Sequence, residues 1–146
     1  MNNFKIEKEK YEKEYNEEFE KTGVFWAFSN QQFEENKTHK NAPDNEYISV
    51  GCGGYIHKSN KTKLDNFFNK IVPKLNKSFI KKIEIKDLIK YELINKECFY
   101  TGDWQTILPT IEHYLNSDIS QRNDIYELIE IVYHECLKEE NNENKY

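Results

Sequence analysis

Arginine is almost missing from this chain, with Arg122 alone set against 20 lysines. The planar guanidinium fork that reads base edges bidentately is therefore scarce, and sequence-specific nucleic-acid readout is a poor expectation. Alanine is scarcer than in most proteins, at Ala27 and Ala42 only. With abundant Lys and Asn, this is the imprint of an AT-rich coding genome. No apolar run approaches the ~20 residues of a membrane-crossing helix, and "MNNFKIEKEKYEKEY" has no apolar segment of the kind that directs secretion. These absences point to a cytosolic setting, native or host, with no membrane partner. Cys52, Cys98 and Cys136 are odd in number and contain no CxxC pair. Neither a disulfide framework nor a zinc module is expected, and the thiols read as small hydrophobes.

What is present in quantity is charge and aromatic rings, at 32% and 14% of 146 residues. Rings in that number can build a core where aliphatic residues are few. The length fits one domain, 1–146, with a tail expected to fray from about residue 139. Phe4, Tyr11, Tyr15 and Phe19 fall on one face of an amphipathic helix of about 18 residues ending near Gly23. Glu9 with Lys13 and Glu17 with Lys21 would support it at about 0.2–0.5 kcal/mol each.

The stretch "FWAFSN" (25–30) then concentrates apolar surface before a polar cap. Val24 to Phe28 reads as a short strand, and Ser29 with Gln32 has the form of a capping box. A brief helix should follow to about His39, with Phe33 inward. Burial of Phe25, Trp26 and Phe28 is expected, at about 1.5–3 kcal/mol or more apiece. "YISVGCGGYIH" reads as a hairpin or a bulged strand, and a helix begins at Ser59 or Asn60, with Pro73 implying a kink or an early end. Ile80, Ile83 and Ile85 suggest a brief strand, Asp87–Ile94 a short helix, and "ECFYTGD" a strand and turn. Asp103 should cap a helix from Trp104 to Leu115, bent at Pro109, and Ile125 to Leu137 form the apolar stripe of a last helix. The expected fold is α+β, with five to six helices packed on a small antiparallel sheet of three to four strands.

Charge is unevenly distributed. Residues 57–96 hold 11 lysines against 4 acids, whereas residues 97–146 hold 3 basic residues against 11 acids. Either the two blocks lie together and neutralise, or they form separate faces able to recruit partners. On the second reading the contact residues are Asp124, Glu127, Glu130 and Glu135 on the last helix, and Lys61, Lys63, Lys81 and Lys82 within the Lys58–Lys90 block. The acidic set suits a basic partner, including a nucleoprotein complex, and the lysine set suits nucleic acid through phosphate contacts.

The chemistry-bearing residues give little. Gly51, Gly53 and Gly54 lack the GxxxxGK[ST] form and lead into more strand, which makes them a turn or bulge rather than a phosphate loop. An enzyme or nucleotide binder would have to use this Gly51–Gly54 turn with His57, and a cleft near Trp104. A Cys–His nucleophile would need Cys52, Cys98 or Cys136 to converge with His57 or His134. No catalytic residue, metal ligand or cofactor is assigned.

Three pieces, "FWAFSNQQFEE", "YISVGCGGYIHK" and "YELINKECFYTGD", together resemble a group of small uncharacterised proteins encoded by phages and mobile elements of AT-rich bacteria. The resemblance spans most of residues 24–115. It implies origin: small accessory proteins of this provenance often act against host defence in the bacterial cytoplasm, for example as anti-CRISPR-like inhibitors, and the resemblance brings no functional residues with it. Joined to the missing catalytic constellation, the segregated charge and the surplus of rings, it leads to the expectation of a non-enzymatic binding protein that inhibits a host defence protein.

Overall fold

The computed structural model describes residues 2–117 and 122–143. Its contacts cluster in two compact units, Tyr11–Leu75 and the combination of Met1–Lys10 with Asn76–Tyr146. The first helix, α1 (Asn2–Glu20), contributes to both. It ends as the heptad-like spacing predicts, with Gly23 in the left-handed region at φ 85°. Its charged face pairs three residues apart, Glu7 with Lys10 and Glu18 with Lys21.

The Tyr11–Leu75 unit is built on a three-stranded antiparallel sheet in the order β1-β3-β2, from β1 (Phe25–Trp26), β2 (Tyr47–Gly51) and β3 (Gly54–His57). β2 and β3 form a hairpin with a bulge between Ser49 and Gly51. Its tip, Gly51-Cys52-Gly53, has three successive positive φ values, which two glycines make tolerable. On one face Phe25, Phe33, Tyr47 and Tyr55 pack ring against ring, Phe33 coming from α2 (Asn30–Asn36). On the other, Ile56 is buried and Trp26 stacks on Phe19.

Ser29 Oγ accepts from the Gln32 N–H at 3.1 Å, and Gln32 Oε1 returns a bond from the Phe28 N–H at 2.8 Å. The capping box is thus reciprocal, reaching one residue before the cap. Burial in the opening stretch is a correction. Phe25 and Ala27 are buried, but Trp26 is half-exposed and Phe28 is 76% exposed. Period-2 alternation sends every second side chain outward, a simpler rule than the count of apolar residues suggested.

α3 (Lys61–Asn66) and α4 (Val72–Lys82) run on through a π turn at Phe67–Ile71, where the Val72 N–H reaches the Phe67 carbonyl five residues back. Pro73 has no N–H and crowds the carbonyl four residues before it. The wider turn just upstream absorbs that conflict, and the helix continues instead of ending.

The other unit is helical. α5 (Ile85–Asn95), α6 (Cys98–Thr101), a 3-10 turn (Trp104–Ile107), α7 (Leu108–Leu115) and α8 (Asn123–Glu143) enclose a core that includes Leu88, Ile89, Leu93, Ile107, Ile111 and Ile129. Trp104, at the start of the 3-10 turn, meets the Tyr126 ring edge-on at 6.0 Å. Counting α3 through α4 as one rod, the described residues hold seven helices where five to six were expected.

Two expected strands prove helical. Ile80 lies in α4 and Ile85 in α5, one turn before buried Leu88, with Ile83 in the bend between the helices. "CFYT" closes one helical turn between left-handed Glu97 (φ 55°) and Gly102 (φ 72°). Asp103 caps as expected, accepting from the Gln105 N–H at 2.9 Å, and Pro109 sits in the first turn of α7, where its missing N–H costs nothing. The tail is helical through Glu143. Residues 144–146, like 118–121 of the preceding loop, lie outside the described residues.

Candidate functional site

α8 buries Ile125, Ile129, Val132, Tyr133 and Cys136 along one stripe. A 3.6-residue period then turns Glu127, Glu130, Ile131, His134, Glu135 and Lys138 to the opposite side, where they line a shallow depression. Ile131 is 51% exposed in the middle of this face. Among the described residues, Glu127, Glu130 and Glu135 make no ion pair, and Lys138 is the one lysine beside them in the depression. Asp124 has a different position. Arg122 grips it bidentately, Nε and Nη2 donating at 3.0 and 2.9 Å, and this holds the Asp124 carboxyl below the usual aspartate range. As an acid in the first turn it also meets the positive end of the helix dipole. Of the four acids singled out in the sequence, three form the open face and Asp124 is anchored.

The lysine-rich segment is divided between the two compact units. Lys61 and Lys63 belong to the sheet-containing unit, and Lys81 and Lys82 to the helical one. All four are exposed. Lys63 borders a depression shared with Glu18, Lys21, Thr22, Asn66, Phe67 and Ile71. Lys90 on α5 approaches Glu139 on α8 at 3.5 Å, so neutralisation occurs along one margin of α8 while its outer stripe stays acidic.

The second polar cluster was not foreseen. His57 is 6% exposed, at the end of β3. Its Nε2 lies 2.9 Å from Glu46 Oε2 and its Nδ1 lies 2.7 Å from Ser59 Oγ, while Nδ1 also accepts the Ser59 N–H at 3.2 Å. The network assigns the proton to Nε2, donating to the carboxylate. His39 stacks on the same imidazole with centroids 4.0 Å apart, and Tyr47 both donates to the His39 carbonyl and accepts its N–H.

The order serine, imidazole, carboxylate is that of a nucleophile relay, but here the lone pair of Nδ1 is already engaged by the backbone it caps. The cluster fastens the start of the following 3-10 turn (Lys58–Asn60) to β2 and β3. Cys52, at the hairpin tip, is at the opposite end of β3 from His57, so that pair does not converge. Burial raises the Cys136 thiol, which disfavours a thiolate there. Among the described residues no three His, Cys, Asp or Glu side chains gather into a metal cage. Spacing could not reveal the His57 network, because Glu46 is eleven residues away and reaches it only through the β2–β3 pairing.

The His57 hydrogen bond, followed by the charge of Lys58, lowers the Glu46 carboxyl below its ordinary value. A depressed acid stabilises the fold fully above its unfolded value and loses that contribution as pH falls through the folded one. Melting temperature is therefore expected to fall between about pH 4.3 and lower values in the wild type, and Glu46→Gln should flatten this acid limb. Equal acid slopes in both proteins would remove the role given to this pair.

The fold and site define a small α+β protein whose prominent chemical feature is an acidic helix face with an apolar centre. The chain belongs to the Family of unknown function (DUF7659), whose model matches residues 7–135. The matched stretch takes in most of α1 and α8 up to Glu135, both outside the segments that carried the resemblance. No curated protein and no solved structure matches the chain. Among the described residues, no helix is long and apolar enough to cross a membrane.

Proposed function

We propose that this protein is a non-enzymatic binding protein encoded by a phage or mobile element, and that it inhibits a host defence protein by engaging a cationic surface of it, including one that otherwise holds nucleic acid. One observation carries the reading: Ile131, half-exposed, lies among Glu127, Glu130 and Glu135, three carboxylates in no ion pair among the described residues, with Lys138 the one lysine lining the same depression. Three unpaired charges steer a basic partner, and an apolar centre supplies contact area once it arrives. Lysine-rich positions in both units leave phosphate contacts as an accessory means of holding a nucleoprotein.

The test is capture from a bacterial lysate paired with phage plating on defence-positive hosts. The variant carries Glu127→Lys, Glu130→Lys and Glu135→Lys, and leaves Asp124 in place because its ion pair with Arg122 secures the helix start. The wild type should retain a defence protein and rescue plating, and the variant should do neither while melting at the wild-type temperature. Unchanged plating together with an empty pull-down overturns the reading.

A further inference from the structure

Within the helical unit, α5, α6 and α8 enclose a recess of about 220 Å³ lined by Lys90, Ile94, Phe99, Tyr100, Cys136 and a rim of carboxylates. That volume is below the roughly 300 Å³ at which small-molecule sites begin, and suits one apolar side chain. The apolar lining is unusually open for so polar a protein, with Ile94 55% and Tyr100 85% exposed. It is also held in place. Phe99 stacks flat on Tyr133 at 5.5 Å, and the single turn of α6 is fixed between two left-handed residues, one of them Glu97, where a side chain carries strain. Rim charge is negative: Glu97, Glu139 and Glu140 surround one cation, Lys90, whose ammonium Glu139 already engages at 3.5 Å. The same helix carries the Glu127–Glu135 face farther along.

We infer that this recess receives one apolar side chain of a lysine- or arginine-rich amphipathic segment of the partner protein. Charge complementarity selects that occupant. A neutral or acidic segment would place its own polar groups against Glu97 and Glu140, whereas flanking lysines meet them once the apolar group is seated. The inference rests on the proposed cationic partner and adds the apolar anchor to it.

The experiment uses the full chain and two synthetic probes: an amphipathic helical peptide of leucine and lysine, and a control of the same charge with glutamine replacing leucine. Binding is read by fluorescence anisotropy, with the Ile94 methyl resonance followed by NMR. The leucine peptide should bind about ten-fold more tightly than the control and shift the Ile94 methyl. Tyr100→Ala and Ile94→Asn should each erase that preference while leaving charge-dependent binding of both peptides intact. Their exposure keeps the risk of unfolding small, and a thermal melt checks it.

If the two peptides bind equally, or if both recess variants keep the preference, the recess is not an anchor site and the inference falls, with the acidic-face reading intact. If the triple lysine variant of α8 binds both peptides as the wild type does, the cationic-partner reading fails on its own account.

Discussion

Phe67→Ala is expected to lower the stability of the Tyr11–Leu75 unit by about 3–5 kcal/mol, the range for removing a buried ring. The side chain has no exposed surface and stands at the π turn between α3 and α4. Tyr15 and Phe19 approach it edge-on, with centroids at 5.1 and 5.5 Å, and Phe68 at 5.1 Å. Rings in these orientations contribute beyond the area they bury, and stiff neighbours cannot collapse into the space left behind. Against a total of about 5–15 kcal/mol for a typical domain, such a loss moves the urea midpoint far down or unfolds the unit. Phe28→Ala is the internal comparison, since a ring 76% exposed has little burial to lose. A loss below about 1.5 kcal/mol at position 67 would mean that the ring cluster relaxes around the gap.

Asn76→Leu should cost about 1–3 kcal/mol, although leucine is close to asparagine in size and better suited to an apolar site. Asn76 on α4 is 1% exposed. Its Nδ2 donates to the His113 carbonyl at 2.9 Å and to Asn116 Oδ1 at 3.1 Å. Those acceptors are at the end of α7, where Asn116 turns left-handed at φ 54° and carbonyls of the last turn need partners. The substitution takes one donor from each acceptor, on residues that are themselves exposed, and each hydrogen bond lost costs about 0.5–1.5 kcal/mol. Chemical denaturation reads the loss, and amide exchange at Asn116 and Ser117, just past α7, should accelerate more than in α8. A stabilised Asn76→Leu would show that packing outweighs the cap.

Much of the helical part was legible in the sequence because its signals are local. The stripes of α1 and α8, the caps at Ser29 and Asp103 and the break at Pro109 each involve side chains within a turn or two of one another. Misreadings arose where short apolar runs fit either period. Ile80, Ile83 and Ile85 look strand-like over six residues, but Ile80 is in the last turn of α4, Ile85 starts α5, and Ile83 lies in the bend between the two helices. "ECFYTGD" looks β-prone until Gly102 and Glu97 take left-handed angles, which no propensity scale supplies for glutamate.

The acidic face of α8 was visible in composition, yet its apolar centre was visible only in phase: Ile131 is two residues from Ile129, out of step with 125, 129, 132 and 136. The recess at Tyr100 joins three helices and left no local trace. Likewise, Asp124 looked like its acidic neighbours until Arg122 was seen to hold it.

The chain's two tryptophans are divided between the compact units. Trp26 is stacked on Phe19 beside the sheet, and Trp104 is edge-on to Tyr126 among the helices. Each unit thus carries its own intrinsic fluorophore. A pair of single-tryptophan proteins would report two separate emission traces during denaturation, and their overlay or separation measures directly how far the units share one cooperative transition.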